Sequence, residues 1–255
     1  MGYINTLGGT TLIELTELEK IYNSGAVATQ VLKRVSFSIQ DGEYVAIMGA
    51  SGTGKSTLMN ILGCLDKPTQ GHYRLEGTDM ISLDDEGLSH VRNEKIGFVF
   101  QTFHLLERTT AAQNVMLPLI YAQRYPDDAT ERAEQALTEV GLQDRVSYRP
   151  NELSGGQQQR VAIARALVTY PDVILADEPS GNLDSRSELE ILRVFQKLHA
   201  GERTLIVVTH SKEVAEHAER VIELEDGRIV GDHAVEQRRD AGRELEKTQA
   251  KEVAE

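Results

Sequence analysis

Tyr44-Val45-Ala46-Ile47-Met48-Gly49-Ala50-Ser51-Gly52-Thr53-Gly54-Lys55-Ser56-Thr57-Leu58 is the stretch that decides the fold. Tyr44 to Met48 reads as a buried strand, the glycines force a tight turn, and Leu58, Met59, Ile61 and Leu62 continue as an apolar helix. That order gives the pattern Gly-x4-Gly-Lys-Ser/Thr a physical meaning. Backbone N–H groups of Gly49, Ala50, Ser51, Gly52, Thr53 and Gly54 and the positive end of the helix converge where phosphates can be cradled. Lys55 then reaches the β and γ phosphates, Ser56 ligates Mg²⁺, and Thr57 bonds a more distant phosphate oxygen. The competing reading is an ordinary glycine turn, and the strand-to-helix placement weighs against it.

Around this loop lie 255 residues, 40% of them hydrophobic, enough for one large or two small domains with a buried core. Lys plus Arg number 27 against 40 Asp plus Glu, a net charge of -13. Such a balance disfavours broad attraction to DNA, RNA or anionic lipid heads, so no nucleic-acid partner is expected. The single cysteine, Cys64, has no internal disulfide partner and falls in an apolar stretch that reads as a buried helix; it is a reduced structural thiol. No apolar run approaches the ~18 residues that span a bilayer, and the N-terminus lacks a basic head and an apolar signal core. The expectation is a soluble, cytoplasmic chain. Met1-Gly2-Tyr3-Ile4-Asn5-Thr6 fits the loose myristoylation pattern, but nothing basic supports it as a second anchor.

The first hundred residues carry short strand-like runs, Leu12 to Leu15, Val35 to Ile39, Tyr44 to Met48 and Ile96 to Phe100, broken by Asp41-Gly42, Gly71 and Glu76-Gly77. From about Thr102 the pattern turns helical. Asp128 with Glu131 suggests a capping box, and Ala133, Ala136, Leu137 and Val140 mark one face before Gly141 stops it. A helical insert over about residues 102–160 is the reading. Apolar strands follow at Val173 to Ala176, Leu205 to Val208 and Val221 to Leu224, with a helix from Ser185 to Ala200 whose Leu189, Leu192, Phe195 and Leu198 face inward. Continuous apolar strands alternating with helices indicate an α/β fold with a parallel sheet covered on both faces. The domain is expected over residues 1–232, and residues 233–255, rich in charge, as a solvated helix or loose tail.

Three further constellations carry chemistry. Val173 to Ala176 ends in Asp177-Glu178: Asp177 suits the Mg²⁺ shell, and Glu178 is placed to accept a proton from the water attacking the γ phosphate. Alone, the pair also reads as solvated acids at a strand end. Leu205 to Val208 delivers Thr209-His210 to what should be the same sheet edge, where His210 can contact the γ phosphate, although a lone histidine is usually structural. The other six histidines show no metal-ligand spacing. Ser154-Gly155-Gly156-Gln157 opens a helix and makes a second anion site. The same residues also suit a plain loop and N-cap. One domain rarely needs two triphosphate cradles, so this one is assigned to the ATP of a neighbouring copy.

With these residues in place, residues 10–232 resemble ABC transporter ATPases. The resemblance implies the ABC ATPase fold: a RecA-like parallel-sheet core, an N-terminal antiparallel β subdomain and an inserted α-helical subdomain. It implies that Leu153 to Gln157 is the family signature, Phe100-Gln101 the glutamine loop, Ser180 to Asp184 the D-loop with Asp184 at the nucleotide, and His210 the switch histidine. Gln101 would touch Mg²⁺ or the attacking water. Tyr22, before Asn23-Ser24-Gly25, stands where the family stacks an aromatic ring on adenine, worth about 1 to 3 kcal/mol per base; a strand-end tyrosine filling the core is the other reading.

Leu58 to Asp66, Ile96 to Gln101 and Ala176 to Asp184 are similar to the MacB-like and LolD-like branch, which serves macrolide export and lipoprotein release. Ser180 stands where threonine is common and Thr53 where serine is common, and neither removes a catalytic group. The implied activity is ATP hydrolysis with Mg²⁺, in a head-to-tail homodimer that drives a transmembrane permease from the inner face of the membrane. Apolar Phe103, Leu105, Leu106, Val115 and Leu117 are the expected contact with that permease, or else packing inside the insert. MacB carries its own membrane domain, and this chain shows none, so a stand-alone subunit or excised domain is expected. An ATPase like FtsE, driving transmembrane signalling, is the alternative.

Overall fold

Each apolar run singled out above is a strand in the computed structural model, which describes residues 10–24 and 27–254. The hexapeptide Met1 to Thr6 and Gly25 lie outside the described residues. Strands β1 (Thr11–Ser24) and β2 (Val27–Gln40) lead into β3 (Tyr44–Met48) and helix α1 (Lys55–Leu62). Next come β4 (Gln70–Leu75), β5 (Thr78–Asp79), α2 (Asp85–Lys95) and β6 (Ile96–Val99). A helical stretch of α3 (Ala111–Ile120), α4 (Ala129–Glu139) and α5 (Gly155–Leu167) follows. The chain returns through β7 (Val173–Asp177), α6 (Ser185–Ala200), β8 (Thr204–Thr209), α7 (Lys212–Ala215), β9 (Arg220–Glu225), β10 (Arg228–Ala234) and α8 (Ala241–Ala254).

Two sheets result. An antiparallel sheet has the order β2-β1-β4-β5. The larger sheet has the order β10-β9-β3-β8-β7-β6, parallel from β9 to β6, with β10 pairing antiparallel at the edge. Because side chains alternate along a strand, the parallel strands serve two cores at once. Val45, Ile47, Val173, Leu175, Ile206 and Val208 face α1 and the antiparallel sheet. Their neighbours Tyr44, Ala46, Ile174, Ala176, Leu205 and Val207 face the helices. That two-sided burial is why these runs are continuously apolar.

Helix α5, which opens at the second glycine-rich motif, continues to Leu167 and packs on β6. Gly141 does end α4, with φ of 73°. The capping box at Asp128 does not form. Asp128 makes no side-chain cap, and its carboxylate instead accepts from Arg132 Nε at 2.9 Å. Cys64 is buried as expected but lies beyond α1, in a left-handed turn with φ of 54°.

The charged C-terminal stretch is not loose. β10 extends to Ala234, and α8 lies on α6 with Ala241 and Leu245 buried. Sparse apolar residues hid this contact, because polar groups make much of it: Ala241 N–H donates to Gln196 Oε1 at 3.0 Å, and Arg239 pairs with Glu244 at 2.7 Å.

Candidate functional site

The turn after β3 is shaped by where a side chain would not fit. A Cβ at Gly49 would lie 2.3 Å from the Leu224 carbonyl oxygen, and Gly54, the N-cap of α1, has φ of 104°. Thr53 Oγ1 donates to the Ala50 carbonyl at 2.9 Å, and the Gly227 N–H donates to the Thr53 carbonyl at 3.1 Å, fastening the loop to the β9–β10 turn. Lys55 is nearly buried, its ammonium donating to the carbonyls of Gly49 at 2.7 Å and Ala50 at 2.9 Å.

β7 and β8 end beside this loop because both pair in parallel within the same sheet as β3. Burial, and then the charge of Glu178, push the Asp177 carboxyl above its ordinary value, with Lys55 opposing. Glu178 sits at φ of 43°, a conformation unfavourable for a side chain bearing a Cβ. It is held there from several sides. Its N–H donates to the Val208 carbonyl at 2.9 Å, while its carboxylate accepts from Thr209 Oγ1 at 3.0 Å and from the His210 N–H at 2.9 Å. His210 Nδ1 lies 2.5 Å from the same carboxylate.

Together these groups line a cavity of about 680 Å³ bounded by Val31, Ala50, Ser51, Gly52, Gly54, Lys55, Ser56, Thr57, Gln101, Asp177, Glu178 and His210. The phosphate loop, the two carboxylates, the glutamine and the histidine named from sequence therefore meet at one place. Tyr22, Ser154, Gly155, Gly156, Gln157 and Asp184 do not line it. Ser154 and Gln157 form a capping box at the start of α5: Ser154 Oγ accepts from the Gln157 N–H at 3.3 Å, and Gln157 Oε1 accepts from the Ser154 N–H at 3.0 Å. Asp184 caps α6, accepting from the N–H groups of Arg186 and Ser187. Val31, on β2, lines the cavity without any signal in the sequence.

Gln159 is a second residue that the sequence left unassigned. It is fully buried on α5, and its amide donates to the carbonyls of Phe100 at 3.2 Å and Pro179 at 2.6 Å. One side chain thus joins the helix of the second anion site to the residue before Gln101 and the residue after Glu178. Gln101 and Asn182 complete the link reciprocally, Gln101 Nε2 donating to Asn182 Oδ1 and Asn182 Nδ2 to the Gln101 carbonyl, both at 3.2 Å. The only hint in sequence was a third polar residue in Gln157-Gln158-Gln159.

A family model described as ABC transporter matches residues 32–181. The chain belongs to the ABC transporter family. An uncharacterized ABC transporter ATP-binding protein of Bacillus subtilis, YvrO, is 52% identical over 221 residues, covering 87% of this cassette and 96% of that protein. A macrolide export ATP-binding/permease protein of Yersinia pestis, MacB 1, is 54% identical over 87% of this cassette, which spans only 34% of that longer protein. Among solved structures, a dimeric post-hydrolysis state of the ATP-binding cassette MJ0796 bound to ADP and Pi matches with a TM-score of 0.79 and 43% identity, covering 88% of this chain and 99% of that one. The fold expected from the resemblance is therefore the fold observed.

Among the described residues, no helix is long and apolar enough to cross a membrane, and no group of three or more His, Cys, Asp or Glu is placed to hold a metal. Ser56 Oγ, the Gln101 amide and the Asp177 carboxylate nonetheless border one cavity as hard oxygen donors, the chemistry that suits Mg²⁺. Burial first, and then the charge of Glu178, disfavour the Asp177 carboxylate there, and a bound cation would offset both.

Proposed function

We propose that this cassette binds and hydrolyses ATP at the cavity beneath the phosphate loop, and that two copies pack head to tail so that each ATP is completed by the other copy's Ser154 to Gln157. The observation that carries this reading is a separation. The phosphate loop, Asp177, Glu178 and His210 share one cavity, while the second glycine-rich helix start lies outside it. A helix N-terminus with capped, oriented N–H groups suits an anion brought by a neighbour.

Within the site, the loop N–H groups and Lys55 hold the phosphates and offset their charge. Glu178 accepts the proton of the attacking water, and Thr209 and His210 hold its carboxylate in place. Ser56, Gln101 and Asp177 would hold Mg²⁺, which would supply neutralisation of the phosphate charge.

Hydrolysis must act on a membrane subunit to be useful in transport, and MacB-like relatives favour an exporter or lipoprotein-release type of system. Of the apolar residues named for that contact, Val115 is buried in the core and Leu105 packs against it, while Leu106 is half exposed. The better candidate surface is a cleft of about 350 Å³ beside Arg92, Phe98, Phe100, His104, Pro118 and Arg165, flanked by the exposed Ile120 and Tyr121 at the end of α3. It adjoins Gln101, so closure around nucleotide would be felt there.

The test is size-exclusion chromatography with light scattering on Glu178→Gln protein. With ATP it should run as a dimer, and Ser154→Arg added to it should return a monomer that still binds ATP. A monomer in both cases would sink the head-to-tail arrangement. Lys55→Ala should weaken ATP binding itself, and unchanged affinity would remove the phosphate-loop assignment.

A further inference from the structure

The half-exposed ring of Tyr22 is held by groups that lie far from it in sequence. Its phenol donates to Asp66 Oδ2 at 2.7 Å. The other oxygen of that carboxylate accepts from Lys20 Nζ at 2.6 Å and from the Lys67 N–H at 2.8 Å. Lys20 is itself nearly buried, also donates to the Lys67 carbonyl at 2.7 Å, and places its ammonium 4.8 Å from the centroid of the Tyr22 ring. Burial works to raise the Asp66 carboxyl, but Lys20, Tyr22 and the Lys67 N–H together bring it below its ordinary value, so it is an anion at neutral pH.

The segment that carries Asp66 leaves α1, the helix opened by the phosphate loop, and is sewn onto β1. The Ile21 N–H donates to Thr69 Oγ1 at 2.9 Å, and the Thr69 N–H donates to the Glu19 carbonyl at 2.8 Å. Ring and phosphate loop are therefore referred to one frame.

We propose that Asp66 and Lys20 are positioning residues that fix the Tyr22 ring for stacking on the adenine base, and so set how much the base adds to nucleotide affinity. The inference rests on Tyr22 being the base-stacking residue. An untethered tyrosine at a strand end samples several rotamers and must lose that freedom when a base arrives. Here a charge-assisted hydrogen bond has already removed it. With the ammonium over one face of the ring, the base takes the other face.

The tether acts on the base and not on the phosphates, which separates positioning from general support of the fold. Isothermal titration of the full chain with ATP and with inorganic tripolyphosphate reads the two apart. Tyr22→Phe and Asp66→Asn should each weaken ATP about three- to tenfold, the range of one hydrogen bond, and leave tripolyphosphate affinity within about twofold. Asp66→Asn added to Tyr22→Ala should cost ATP nothing further, since the ring it positions is gone. Tyr22→Phe cuts the same bond without leaving a buried charge unpaired, so it decides the matter if Asp66→Asn folds poorly.

Equal loss of ATP and tripolyphosphate affinity in Tyr22→Phe would reduce the bond to a structural one and overturn the proposal. So would parent-like ATP affinity in Tyr22→Phe and Asp66→Asn while Tyr22→Ala is weakened, an outcome that leaves the stacking assignment standing. Parent-like ATP affinity in Tyr22→Ala would instead remove the stacking assignment, and the proposal with it.

Discussion

Nδ1 of His210 lies 2.5 Å from Oε1 of Glu178, and the backbone N–H of His210 donates to the same oxygen. The histidine therefore meets the carboxylate as well as the cavity, which makes it a holder of the residue proposed above as the base. Glu178→Gln should keep ATP binding and lose turnover by about 100-fold or more, the usual worth of a positioned general base. His210→Ala should lose turnover too, and the double variant should fall little below Glu178→Gln, because the two act as a unit. Steady-state ATPase rates of the three proteins check this. Fully multiplicative losses would show that the pair acts independently.

Gln159 invites a different kind of test, because it touches no substrate. Gln159→Leu keeps the volume but strands the carbonyls of Phe100 and Pro179, at a cost of about 1 to 3 kcal/mol for a buried unpaired polar group. For a domain of this size that lowers the thermal midpoint by roughly 2 to 10 °C. Turnover should fall as well, since Gln101 and Glu178 flank the two carbonyls. A stable variant with parent-like turnover would show that the bridge is dispensable.

The contrast between Lys55 and Gln159 shows what a sequence makes legible. Lys55 is announced by local order, since strand, glycines and helix are contiguous and the chemistry follows from spacing. The parallel strands were legible for a similar reason: burial on both faces writes itself as an unbroken apolar run. Gln159 and Asp66 gain their meaning from residues 20 to 59 positions away, and Val31 from a cavity whose other residues lie 19 to 179 positions away; no local pattern encodes such a meeting. The docking of α8 was hidden in the same way, because Gln196, Arg239 and Glu244 look like ordinary surface residues until the fold brings them together.

Cys64 offers a probe of the native core that is independent of activity. Burial pushes its thiol up to about 11, with Arg92 opposing. At pH 8 the reactive thiolate is then on the order of one part in a thousand, before steric exclusion is counted. Dithiobis-nitrobenzoate should label the native chain very slowly and label the unfolded chain at once. Rapid native labelling would place Cys64 at the surface and contradict the packing described here.

The docking of α8 should make stability sensitive to acid. His217 is buried beneath it, its Nδ1–H donating to the Glu213 carbonyl at 2.8 Å and its Nε2 lying 3.9 Å from Glu244 Oε1 without a hydrogen bond. Burial holds the imidazole below its ordinary value, and Arg239 adds to this while Glu244 and Glu188 oppose it. Below the unfolded value of 6.5 the unfolded chain then binds more protons than the folded one, so stability falls as pH drops from that value toward the lower folded one. Glu244, held low by its bond to Arg239, acts next: its contribution is present above its unfolded value of 4.5 and is lost as pH falls below it. The thermal midpoint should therefore decline between pH 7.5 and 5.5, and His217→Asn, which keeps a donor toward Glu213 but cannot be protonated, should flatten that decline. Removing residues 241–255 should lower the midpoint at pH 7.5 by exposing the face of α6 that Leu245 covers; a midpoint equal to that of the full chain would return α8 to the status of a loose tail.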